Sequence, residues 1–99
     1  MIEIIKGGGV TSAAGFTAGG TYAGLKTEVD TLDLGILISD RQANAAATFT
    51  SNSIESPSVT ASRKRLERGM ARGVVANSGC ANCSVGEQGF TDAEEMAEL

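Results

Sequence analysis

Residues 74–89 read VVANSGCANCSVGEQG, and the chain continues from Phe90 as FTDAEEMAEL. Val74, Val75 and Ala76 form a short apolar run of strand type, Asn77-Ser78-Gly79 is a turn cluster, and no long side chain intervenes before Val85. A loop so poor in bulk packs its backbone closely, and loops of that kind are often placed beside a site. Thr91-Asp92-Ala93-Glu94 has the S/T-x-x-E spacing of a capping box, which predicts a helix from Asp92 with Ala93, Met96 and Ala97 on one face. A strand, a small-residue loop and a helix in immediate succession describe an α/β (α+β) chain.

The helix reaches Leu99 with no Gly or Asn stop and with Glu98 at the end that the helix dipole disfavours for an acid. Isolated helices below about 12 to 15 residues are marginal in water. Residues 1–99 therefore read as an N-terminal fragment of a single larger domain, with no internal boundary.

Upstream, Leu34-Gly35-Ile36-Leu37-Ile38 is the clearest strand, a continuous apolar run between Asp33 and Asp40 that fits an element covered on both faces. Ala45 to Thr50 reads as its antiparallel neighbour, joined by Asp40-Arg41-Gln42-Ala43-Asn44. Ile2 to Ile5 and Phe16 to Tyr22 are further strand candidates, the second with a bend or bulge at Gly19-Gly20. Pro57 suits a turn or an edge before a strand at Ser58 to Ala61. Ser62 then looks like the N-cap of a short helix over Arg63 to Arg68, with Gly69 at its C′ position.

Thirteen glycines exceed the ordinary frequency of about 7%, but they lie among apolar segments and so indicate turns and close packing rather than disorder. A net charge of −4 argues against a general nucleic-acid binder, which needs a basic surface. No apolar run approaches the length of a membrane span or a signal-peptide core, so a cytoplasmic, membrane-free location is expected.

The residues bound the chemistry closely. Without histidine, Ser-His and Cys-His nucleophile pairs are excluded within the chain. Asp30 with Asp33, Glu94 with Glu95, and Glu87 are the candidate carboxylates, and their positions match turns and a helix start as well as they match catalysis. Gly7-Gly8-Gly9 and Gly19-Gly20 complete neither a dinucleotide fingerprint nor a P-loop. Thr11, after Gly9-Val10, raises the idea of a threonine freed by backbone cleavage, although a turn or strand role is the simpler one.

Cys80 and Cys83 form a C-x-x-C pair that cannot complete a zinc site alone. Two thiols in a packed loop, a metal shared with another chain and a redox pair remain open. Five of the eight basic residues, Arg63, Lys64, Arg65, Arg68 and Arg72, cluster as either a solvated helix face or an anion-binding patch.

The order of segments resembles the N-terminal part of the ornithine acetyltransferase family, the bifunctional glutamate N-acetyltransferases of arginine biosynthesis. GGGVTSAAGFTAGGTYAGLK, LDLGILISD, AAATFTSNSIESPSV and above all ARGVVANSGCANCSVGEQGFTDAEEMAE carry the likeness, including Ser39, Asp40, Phe49, Thr50, Asn52, Asn77, Ser78, Gly79, Gly86, Glu87, Gln88, Gly89 and Asp92. The chain departs from the usual pattern at Cys80, Cys83, Ser84, Val85 and Gln42, so its C-x-x-C is not a family motif.

The resemblance implies part of an α-β-β-α sandwich with a mixed sheet and short helices, in an enzyme that cleaves itself before a threonine. That threonine takes the acetyl group from N-acetylornithine, or in some members from acetyl-CoA, and passes it to glutamate. The nucleophile and a Thr-Gly oxyanion pair lie beyond Leu99, so the resemblance assigns no catalytic, substrate, cofactor or metal residue here, and the piece is expected to be inactive alone. The implied partners are the rest of the α chain, the β chain produced by cleavage, small amino-acid substrates and further copies in a homo- or hetero-oligomer, with no nucleic acid. A related autoproteolytic amidase or aminopeptidase, and a small anion- or partner-binding module, are the competing readings.

Overall fold

The structure is a computed structural model that describes residues 1–80 and 86–98. Its elements run β1 (Phe16–Thr21), β2 (Leu34–Asn44), α1 (Pro57–Arg65), a 3₁₀ turn over Leu66–Arg68, β3 (Met70–Asn77) and α2 (Glu87–Glu98). The strands form one antiparallel sheet in the order β1-β2-β3. One sheet and two helices make an α+β arrangement, as the sequence predicts.

β2 is the central strand because its Leu34 to Ile38 run pairs on both edges. Leu34 faces Thr21 of β1 and Asn77 of β3, and Ile38 faces Thr17 and Gly73. The β1–β2 register is unbroken from Phe16 to Thr21, so Gly19-Gly20 marks no bulge. Gly20 lies opposite Gly35, and a Cβ built on it would make only ordinary contact with the Leu34 carbonyl oxygen, at 3.4 Å.

The expected hairpin to Ala45–Thr50 is not formed. Residues 40–44 continue β2, and its partners are β1 and β3. The turn-like composition of Asp40 to Asn44 marks a bulge instead: β3 register jumps from Ile38↔Gly73 to Ala43↔Ala71, leaving residues 39–42 opposite Arg72 alone. Ile2 to Ile5 forms no strand either. It finds no pairing edge and ends in a turn closed by the Gly8 N–H on the Ile5 carbonyl (3.1 Å).

Pro57 begins a helix rather than preceding a strand. It occupies the first turn, where a missing N–H removes no intrahelical bond, and Ser56 in extended conformation takes the N-cap place expected of Ser62. Arg63, Lys64 and Arg65 occupy the last turn, where cations complement the dipole. Gly69 has φ +68° and closes the 3₁₀ turn that follows, in the left-handed conformation expected of it.

α2 starts a turn earlier than the capping box predicts. Thr91 is inside the helix, and its hydroxyl donates to the Glu87 carbonyl (3.4 Å) instead of capping. α1 and α2 pack against each other, and their buried positions among the described residues are small or compact: Pro57 and Ala61 in α1, and Gly89 and Ala93 in α2. The sheet, by contrast, is open. Ile36 and Ile38 remain 47% and 43% exposed, so the two-sided cover expected for β2 is not supplied by the described residues.

Candidate functional site

The loop between β1 and β2 and the turn after β3 meet at Asp33, the most buried polar residue described, at 3% exposure. Its N–H donates to the Thr21 carbonyl (3.1 Å), and its own carbonyl accepts the Ser78 N–H (2.8 Å). The Asp33 main chain thus joins the end of β1 to the turn leaving β3. Its side chain holds the intervening loop: one carboxylate oxygen accepts the Ala23 N–H (2.6 Å), and the other accepts those of Leu25 (2.7 Å) and Lys26 (3.0 Å).

An ionised carboxylate accepts without donating, which suits three converging N–H groups. Burial alone pushes the Asp33 carboxyl up, but the N–H groups of Ala23, Lys26 and Leu25, with the Lys26 charge, outweigh it and hold the group below its ordinary value. The signal available in the sequence was an acid set between Leu32 and Leu34, since a charge in an apolar run needs dedicated partners. Reading Asp33 only as a strand boundary or half of a carboxylate pair missed this.

The turn Asn77-Ser78-Gly79 packs onto that same loop. Gly79 has φ +96°, and a Cβ built there would lie 2.6 Å from Lys26 Cγ and 3.4 Å from the Lys26 nitrogen. The Tyr22 hydroxyl donates to the Lys26 carbonyl (3.2 Å), and Lys26 Nζ donates to the Leu32 carbonyl (3.4 Å), so the loop is tied along its length. Beside it lies an open cleft of about 340 Å³ lined by Leu25, Lys26, Thr27, Glu28, Thr31 and Gly79. Asn77 Nδ2 donates to the Cys80 carbonyl across the turn (3.5 Å), and Cys80 is exposed. Cys83, and with it the C-x-x-C pair, lies outside the described residues.

The basic cluster is divided among separate structural tasks. Arg63 pairs with Glu55 (2.9 Å) and lies over the Phe49 ring (5.2 Å to its centre), fixing the segment before α1. Arg65 pairs with Glu94 of α2 (2.9 Å). Arg72 donates to the Ser39 and Asp40 carbonyls (3.3 and 3.1 Å), the groups displaced by the β2 bulge. Lys64 and Arg68 have no such partner among the described residues.

The other candidates are dispersed. Asp30 has φ +68° in the β1–β2 loop, Glu94 is bound to Arg65, and Glu87 lies in the first turn of α2. Thr11 belongs to a turn closed by the Ser12 N–H on the Gly9 carbonyl (3.0 Å). Among the described residues no group of three acidic, Cys or His side chains could hold a metal ion, and no helix is long and apolar enough to cross a membrane.

The ArgJ family model matches residues 17–99, covering β2, β3, both helices and all of β1 but its first residue. The chain belongs to the ArgJ family. It is 43% identical over 98 residues to the arginine biosynthesis bifunctional protein ArgJ of Dehalococcoides mccartyi, covering 98% of this chain and 24% of that protein. It is 42% identical over 91 residues to the mitochondrial ArgJ of Yarrowia lipolytica, covering 89% of this chain and 21% of that protein. The chain therefore spans about a quarter or less of these curated relatives' length.

Among solved structures, the arginine biosynthesis bifunctional protein of Bacillus halodurans superposes with a TM-score of 0.89 at 32% identity, over 95% of this chain and 49% of that one. The ornithine acetyltransferase of Mycobacterium tuberculosis, solved with ornithine, gives 0.85 at 37% identity over 94% of this chain and 48% of that one.

Proposed function

We propose that this chain is the N-terminal portion of an acetyltransferase of arginine biosynthesis, moving an acetyl group from N-acetylornithine or acetyl-CoA to glutamate through an acyl-threonine intermediate. The observation that carries the reading is the match of nearly the whole chain, in sequence and in fold, to an ornithine acetyltransferase solved with ornithine. In the proposed reaction the hydroxyl of a threonine freed by self-cleavage attacks the acetyl carbonyl carbon. The new α-amine takes the hydroxyl proton and passes it to the leaving group, and ornithine, or CoA where acetyl-CoA is the donor, departs as its bond to the acetyl group breaks. The glutamate amine then takes the acetyl group and restores the hydroxyl.

In this reading the residues described above are scaffold. Lacking histidine, the chain does not supply the commonest general base for such a nucleophile. What it offers is β3 with its turn held by Asp33, and the helix α2 that leads toward groups encoded after Leu99, and transition-state stabilisation depends on such groups being held in place beforehand. The open sheet accords with cover by the remainder of the α chain and by the β chain, within a cytoplasmic homo- or hetero-oligomer. The anion-binding alternative loses its main support, since Arg63, Arg65 and Arg72 are each committed to internal partners.

Expression of the chain with its downstream coding sequence tests the proposal. Cleavage before a threonine and acetyl transfer from N-acetylornithine or acetyl-CoA to glutamate are expected. A polypeptide that neither cleaves nor transfers acetyl would overturn it, and release of free acetate in place of transfer would favour a related hydrolase.

A further inference from the structure

We propose that Asp33 is a positioning residue for the turn Asn77-Ser78-Gly79, acting through the loop 22–26, and that it thereby sets the entry of the segment that leads to the catalytic groups. The positional half stands on this chain's geometry; the catalytic half rests on the acetyltransferase reading. Two contacts of different kinds reach the turn from one place. The Asp33 carbonyl accepts the Ser78 N–H directly (2.8 Å), while the Asp33 carboxylate binds the Ala23, Leu25 and Lys26 amides and so fixes the loop against which Gly79 packs.

The fit at Gly79 makes the loop's position matter. A Cβ there would lie 2.6 Å from Lys26 Cγ, closer than such atoms approach, and φ +96° is a conformation that side-chain-bearing residues rarely adopt. A carboxylate also does here what its neutral isostere cannot. With three N–H groups converging on its two oxygens, an asparagine in the same place would turn its own NH₂ toward at least one of them. Loop and turn are thus two halves of one lock, with Asp33 as the common member.

The test uses the complete acetyltransferase polypeptide bearing Asp33→Asn, Gly79→Ala or both, with Arg65→Ala as a control outside the lock. Amide exchange at Ala23, Leu25, Lys26 and Ser78 is measured alongside kcat and KM for acetyl transfer. Asp33→Asn is expected to raise exchange at all four amides roughly tenfold or more, and to lower kcat about 10- to 100-fold with KM held within about twofold, as displacement of catalytic groups would do. Gly79→Ala should give the same pattern, and the double variant should add less than the sum of the two. Arg65→Ala should leave both readouts unchanged.

Native protection of Ser78 in Asp33→Asn, or strict additivity, would overturn the proposal. If Asp33→Asn does not fold, Gly79→Ala decides: unchanged exchange at Ala23, Leu25 and Lys26 in that variant refutes the lock. If the unaltered polypeptide transfers no acetyl group, the acetyltransferase reading fails, while the exchange data still decide whether Asp33 holds the turn.

Discussion

The two ends of the β2–β3 pair solve one problem with opposite charges. At the Leu34–Asn77 end the strands give way to loops whose N–H groups have no ladder partner, and a buried anion, Asp33, gathers three of them. At the Ser39–Asn44 end a bulge displaces two carbonyls, and a cation, Arg72, donates to both. Asp33 is 3% exposed and serves three segments, whereas Arg72 lies on the surface and bridges one bulge. Burial and the number of partners, rather than charge itself, decide which end the sheet depends on.

The largest effect is expected at the buried end. Asp33→Asn leaves at least one of three part-buried N–H groups facing another donor, so its thermal unfolding should precede that of Gly73→Ala, Arg72→Ala and Arg65→Ala, as read by circular dichroism. Gly73→Ala, beside the bulge, should come next. Its Cβ would lie 2.8 Å from the Leu37 carbonyl oxygen, a backbone group with little room to move, and a loss of about 1–3 kcal/mol in denaturant unfolding is expected.

Arg72→Ala should cost roughly 1–2 kcal/mol, because water can replace part of what the guanidinium supplies to an accessible bulge. An Arg72 loss as severe as that of Asp33→Asn would break the comparison. Arg65→Ala sets the lower bound. Its pair with Glu94 joins α1 to α2, but the two side chains are 41% and 38% exposed, and a change below about 1 kcal/mol is expected.

The parts of this fold legible in the sequence were those fixed by local pattern. Leu34 to Ile38 and Val74 to Ala76 fall within strands because short apolar runs of this kind suit a pleated, partly covered surface, and Gly69 stops its helical turn in the left-handed conformation that glycine adopts readily. What misled was chemistry that serves two purposes. Pro57 punctuates turns and equally opens helices, Thr91-x-x-Glu94 is a capping box only at a helix start, and Asp40 to Asn44 resembles a turn until Arg72, some thirty residues away, supports it as a bulge. Asp33 was hidden for the same reason, since its partners lie 7 to 10 residues upstream and are main-chain groups that no motif records.

The ionisation of Asp33 tests the central claim most directly. Its carboxyl is held below the ordinary value of 3.8 in the folded protein, so the stability it contributes is complete above that value and is lost as pH falls through the lower, folded pKa. Amide proton shifts of Ala23, Leu25, Lys26 and Ser78 can be followed by NMR from neutral pH downward, with Asp33→Asn as the reference. The four signals are expected to titrate together with a midpoint below 3.8 and to show no such step in the variant. Independent midpoints, or a common one at or above the ordinary carboxylate value, would contradict the account.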